Sequence, residues 1–223
     1  MGSEVTWKHL LGLVAILAAV AFVHYGGEAT TAQPLHHDHT KTWRYEKVPH
    51  RAPTALERRL GDAASFVARR PVEVRCEDFS DGTLVEPGGV VEFHGSQPAD
   101  YTRIRPDVCS ALARFTRSPV GASFCLARHY CSRAIVQSAD ALTVLAHEST
   151  HLRGIRTESV VQCYAIQEVP RLAKELGATD VDGRALAVIE YAVGYPRMPA
   201  SYRSADCRPD GGLDLHPGGG WPD

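Results

Sequence analysis

Six residues, Ala146-His147-Glu148-Ser149-Thr150-His151, carry the strongest chemical signal in this chain. His147 and His151 are four apart, so on a helix they stand one above the other and can direct two imidazole nitrogens at one metal ion. Glu148 lies beside them, where a carboxylate can take a proton from water. The apolar residues Ala141, Leu142, Val144, Leu145 and Ala146 give the segment a buried side. It reads as a core helix, capped by Ser138 or Asp140 and stopped at Arg153-Gly154.

Two histidines do not complete a zinc site. If the helix ran on past Gly154, Glu158 would return to nearly the same face but about 10 Å further along the axis, beyond any metal bond. The chain must therefore turn. Gly154 permits a left-handed helix end, and Thr157 can cap a second helix from Glu158 to Gln167 that ends or kinks at Pro170. Glu158 then occupies the first turn and faces back toward the histidines. The fourth coordination position is left to water, as a catalytic zinc requires.

At these residues the chain resembles the zincin metallopeptidases and is most similar to a compact gluzincin, with two His from HExxH and a Glu on a following helix. The resemblance spans His147 to Gln167. It implies one zinc per chain held by His147, His151 and Glu158, with Glu148 as base and later acid in the hydrolysis of a peptide or protein substrate. The spacer between His151 and Glu158 is shorter than in typical gluzincins, and Gln162 stands where many have an acidic residue behind the metal. The metzincin pattern HExxHxxGxxH also begins at His147, but Thr157 holds its third-histidine position. Met198, the one methionine after the initiator, is the only residue that could serve as the metzincin methionine turn. The region is similar, too, to uncharacterised bacterial exported proteins built around HExxHxxGxxxE. A different class is a non-catalytic, membrane-tethered binding or structural module whose metal site is vestigial, or is closed by a fourth ligand such as His129 or His216.

The compartment follows from an apolar run and the cysteines. Leu10 to Val23 is nearly all apolar, and Trp7 and Tyr25 flank it as an interfacial pair would. A helix between those aromatics rises about 27 Å, close to a bilayer core. Residues 1–25 thus read as a single-pass membrane anchor, or as a signal segment if cleaved near Ala19-Val20-Ala21, which would make the protein secreted. All six cysteines follow it, and an even count suits three disulfides in an oxidising, extracytoplasmic compartment. Of fifteen pairings, Cys125–Cys131 is the shortest closure, and Cys163–Cys207 would tie the tail to the Glu158 helix. Arginine outnumbers lysine 20 to 4, the bias of a GC-rich bacterial genome. A net charge of -2 with dispersed arginines gives no basic patch, so nucleic acid is excluded as a partner.

The remaining residues must position the site. Residues 26–53 are polar and read as a flexible tether; 54–207 have the length of one core; the Gly/Pro-rich tail 208–223 reads as irregular. Helices are predicted over Thr54–Ala68, Asp107–Phe115 and Val181–Ala192, and strands over Val72–Cys76, Val90–His94, Thr102–Arg105 and Ala134–Gln137. The expected fold class is α+β: a single zincin-like domain with a small antiparallel or mixed sheet, an HExxH helix and a following Glu-bearing helix. Val90–His94 and Ala134–Gln137 are the candidate strands for pairing with an extended substrate. His129, Arg153, Tyr191, Tyr195 and Tyr202 are candidate donors to a developing oxyanion.

Overall fold

A computed structural model describes residues 51–79, 88–128 and 130–222. The apolar segment of residues 10–25 and most of the tether lie outside the described residues. Among those described, no helix is long and apolar enough to cross a membrane.

The fold is α+β, with six α-helices and a small mixed sheet among the described residues. Helix α1, Ala55–Ala68, starts at a capping box in which Thr54 and Glu57 each satisfy the other's backbone amide. It turns Leu60, Ala63, Ala64 and Val67 inward and ends at Arg69 in the left-handed region, φ 58°. Glu57, 2% exposed, is also a hub: it accepts from the guanidinium of Arg51 and from the Cys76 amide, joining α1 to strand β1, Glu73–Cys76. β1 runs parallel to β5, Tyr101–Ile104, which pairs antiparallel with the two-residue β2, Gly89–Val90. The predicted strand Val90–His94 is in fact split: Phe93–His94 is β3, hairpinned to β4, Gln97–Pro98.

Helix α2, Pro106–Arg117, and the short α3, Ala122–Ala127, precede α4, Arg133–His151. Here the expectation of a strand over 134–137 fails. Ile135 and Val136 favour strands in isolation, but Ser132 caps the helix by accepting from the Ile135 amide, and the Ser138 hydroxyl bonds back to Ala134. Both apolar side chains then pack on the core as the first turn of a 19-residue helix. Helix α5 spans Glu158–Glu175 and passes through Pro170 instead of ending there. Gly183 of α6, Asp180–Ile189, allows the continuation: a Cβ there would lie 2.8 Å from the Pro170 carbonyl, so only glycine lets α6 pack so closely on the proline turn.

One cluster of buried side chains, including Leu60, Ile104, Phe115, Leu142, Leu145 and Leu172, fills the space between sheet and helices. Three disulfides close the domain: Cys76–Cys109, Cys125–Cys131 and Cys163–Cys207. The last two are the shortest closure and the tie to the Glu158 helix that the sequence suggested. The tail is irregular but held: Gln167 donates to the Leu213 carbonyl and accepts from the Leu215 amide, and Trp221 packs edge-on to Tyr191.

Candidate metal centre

The last turn of α4 and the first turn of α5 meet across a six-residue link, residues 152–157. Gly154 adopts φ 92°, the left-handed exit expected of it, and Thr157 occupies the N-cap of α5, though its side chain makes no capping bond. This reversal places Glu158 against both histidines. His147 Nε2 lies 3.0 Å from Glu158 Oε2, His151 Nε2 lies 3.4 Å from the same oxygen, and the two Nε2 atoms are 3.0 Å apart. Together the three residues form a group that could hold a metal ion.

The outer ring nitrogens decide what those inner atoms are. His147 Nδ1 is 2.8 Å from Gln162 Oε1, and His151 Nδ1 is 2.8 Å from the Ile155 carbonyl. Each carbonyl oxygen can only accept, so each Nδ1 carries the proton and donates it. Both Nε2 atoms are then lone pairs, converging with a carboxylate oxygen. A proton on one imidazole can bridge only part of this triangle, whereas a divalent cation satisfies all three corners. Burial pushes the Glu158 carboxyl up, but its close approach to His147 and His151 outweighs this and lowers the pKa to about 2. For His151, burial favours the neutral ring, yet the bond to Glu158, the Glu148 charge and the Ile155 carbonyl raise its pKa overall.

Access is one-sided. The histidine side chains are 9% and 10% exposed and that of Glu158 37%, so the centre opens on the Glu158 side. Among the described residues no further His, Cys, Asp or Glu joins the group. His216 instead lines a cleft with Gln167 and Glu168, about 15 Å along α5 from Glu158, and His129 lies outside the described residues.

Glu148 is 5% exposed, and its Oε2 has no hydrogen-bond partner. Burial raises its pKa; the charges of His147 and His151 oppose the rise, and that of Glu158 adds to it. Strand β2 explains the burial. A Cβ on Gly89 would fall 2.5 Å from Glu148 Cγ and 2.8 Å from Ile104 Cδ1, so the bare backbone of β2 rests directly on the Glu148 side chain. Phe93 of β3 stands edge-on to His151 with ring centroids 6.2 Å apart, and the Arg156 guanidinium sits 4.8 Å above the Phe93 ring.

Of the candidate oxyanion donors, Tyr202 alone among the described residues is brought to the centre, its ring stacked on His147 at 5.7 Å. The Tyr191 hydroxyl donates to the Cys207 carbonyl, that of Tyr195 accepts from the Ser204 amide, and Arg153 faces Glu168. Met198 follows the 3-10 turn Tyr195–Arg197. Sequence reasoning missed Gly89, Phe93 and the Ile155 carbonyl. Only Gln162 had a signal, being one helical turn beyond Glu158. No family model matches the chain, and no curated protein or solved structure matches it either.

Proposed function

We propose that this chain is a zinc-dependent hydrolase of the zincin type, a metallopeptidase acting outside the cytoplasm. One observation carries the reading: three lone-pair donors converge while their outer ring nitrogens are already engaged, beside a glutamate with an unpartnered oxygen. A tetrahedral ion with bonds of about 2.0–2.1 Å keeps its ligand atoms about 3.3 Å apart. The separations here are 3.0, 3.0 and 3.4 Å, and two imidazoles with a carboxylate form a donor set that suits zinc.

When bound, zinc supplies a Lewis acid and lowers the pKa of its water to about 7. The chain's own residues do the rest. Glu148 accepts a proton from water and passes it to the leaving amine, the role its unpartnered oxygen beside the histidines suits. Tyr202, stacked on His147, is the phenol assigned to the carbonyl oxygen as charge develops there. β2 is an edge strand of the described sheet and lies on Glu148, so an extended peptide pairing with it would run past the catalytic carboxylate. The segment Leu10–Val23 serves as the membrane anchor, and the three disulfides support an oxidising compartment.

The test is metal content together with hydrolysis of a peptide library, for the wild type, Glu148→Gln, Glu158→Ala and Tyr202→Phe. The expected pattern is one zinc per chain in the wild type and in Glu148→Gln, loss of hydrolysis in Glu148→Gln, greatly weakened zinc in Glu158→Ala, and lower kcat with intact zinc in Tyr202→Phe. A wild type without zinc overturns the proposal. The close cover of Gly89 over Glu148 favours one competitor, a non-catalytic metal-holding module, and zinc retained without any hydrolysis would select it.

A further inference from the structure

A second concave site lies on the far part of α5. It is a cleft of about 250 Å³ lined by Arg69, Arg171, Gln167, Glu168, Leu215 and His216. This is smaller than the roughly 300–1,000 Å³ of sites for drug-sized ligands, so an occupant is a small group. Its position, about 15 Å along α5 from Glu158, separates it from the metal centre.

The charges of the cleft do not balance. Arg69 and Arg171, both solvent-exposed, are among the residues that line it. A third guanidinium belongs to Arg153, whose Nη1 is 3.7 Å from Glu168 Oε1, too far for a hydrogen bond, and that buried nitrogen has no hydrogen-bond partner. Burial, and then the Arg69 charge, both disfavour the Arg153 cation. Glu168 is the one carboxylate among the described residues lining the cleft, against two arginines there, and it also faces Arg153. Asp214 does not help: its oxygens accept from the backbone amides of Asp210 and His216. Gln167 is likewise engaged at both ends of its amide with the tail. The buried Arg153 nitrogen, left without a hydrogen-bond partner, is unfavourable unless an anion offsets its charge.

Arg69 sits in the left-handed backbone region that ends α1, where glycine or asparagine is usual. Arg171 stacks over Phe66 at 5.6 Å, which orients its planar fork. We propose that this cleft binds a small oxyanion, a phosphate or carboxylate group, gripped by Arg69 and Arg171 with Arg153 adding charge from behind Glu168.

The experiment is titration calorimetry of the full chain in detergent micelles, with chelator present so that the metal centre takes no part. Inorganic phosphate and acetate are titrated separately at fixed ionic strength. Saturable binding of phosphate is expected, weakened about tenfold or more in Arg69→Gln and in Arg171→Gln, each of which removes charge-assisted bonds. Glu168→Gln should act in the opposite direction and tighten binding severalfold by removing the competing carboxylate, a result that misfolding cannot imitate. Acetate binding with the same arginine dependence would identify a carboxylate as the natural group, and a preference for phosphate would identify a phosphate. No saturable binding of either anion, or binding unchanged in both arginine variants, overturns the proposal.

Discussion

Replacing Glu190 with glutamine should stabilise the domain at alkaline pH and leave it nearly unchanged in acid. Glu190 opens a one-turn π-helix, Glu190–Gly194, that follows α6. It is 2% exposed, its Oε1 has no hydrogen-bond partner, and a Cβ on Gly194 would collide with that oxygen. The carboxyl is therefore wedged against bare backbone, with no cation to offset its charge. Burial, and then the Asp140 charge, raise its pKa from 4.5 to about 7. The unfolded chain releases this proton near pH 4.5, and the folded chain keeps it until about pH 7. Between those values the folded state binds more protons, so stability falls as pH rises, by about 1.4 kcal/mol per unit. Over the interval the loss comes to about 3 kcal/mol and is complete above about pH 7.

The Glu190→Gln substitution keeps the shape and removes the titration. At about pH 8 the variant should gain about 3 kcal/mol, or roughly 6–12 °C in Tm for a domain of this size, and the gain should shrink toward zero by about pH 4.5. Urea midpoints and thermal scans of both proteins from about pH 4 to about pH 8, disulfides intact, measure it directly. Asp140→Asn should flatten the wild-type slope, because it removes the second contribution to the shift. A difference between the wild type and Glu190→Gln that does not change with pH would refute the reasoning, as would a variant less stable than the wild type in mild alkali.

Glu57 predicts the opposite pH dependence. Burial pushes its pKa up, but bonds from Arg51, Thr54 and Cys76 outweigh this and lower it from 4.5 to about 2, so its contribution is present above pH 4.5 and is lost as pH falls toward 2. Glu57→Gln should cost about 3 kcal/mol near neutral pH and progressively less in acid, read from urea midpoints. Gly89→Val must push on Glu148 and Ile104 and should cost about 1–3 kcal/mol in thermal unfolding, with hydrolysis reduced beyond what the stability loss explains. Gln162→Leu removes the acceptor that fixes His147 and should weaken zinc binding about 10–100-fold in chelator competition, without unfolding the chain.

The metal group was legible because it is local. The spacing of His147 and His151 encodes their shared face, and the same helical arithmetic that barred Glu158 from a continuous helix demanded the turn found at Gly154. The errors came where tertiary packing overrode local preference. Ile135-Val136 reads as a strand until Ser132 is known to cap it, and Pro170, which reads as an end or a kink, lies inside a helix that runs on to Glu175. The walls of the centre were beyond reach for a related reason. Phe93 and Gly89 come from two-residue strands, and Tyr202, named only as one of five candidate donors, from a 3-10 turn, all too short to show any period. Their approach to α4 depends on long-range packing, including the Cys163–Cys207 bond that holds the segment carrying Tyr202 to α5.

The same division bears on what the metal has to do. Small zinc modules fold only with their ion, because nothing else brings their ligands together. Here α4 and α5 are packed by side chains wholly removed from solvent, among them Leu142, Leu145, Ala146, Val161, Ala165 and Val169, and Gln162 and the Ile155 carbonyl orient the two rings. The ligand triangle is thus set by the core and by hydrogen bonds on the histidines' outer edges. On the proposed reading, ordering the ligands would draw little on the binding energy of the ion, leaving that energy for affinity and for holding a polarising charge beside Glu148. A site built this way fits the proposed catalytic role better than fold maintenance, since a catalytic metal must keep one position open while its three protein ligands stay fixed without it.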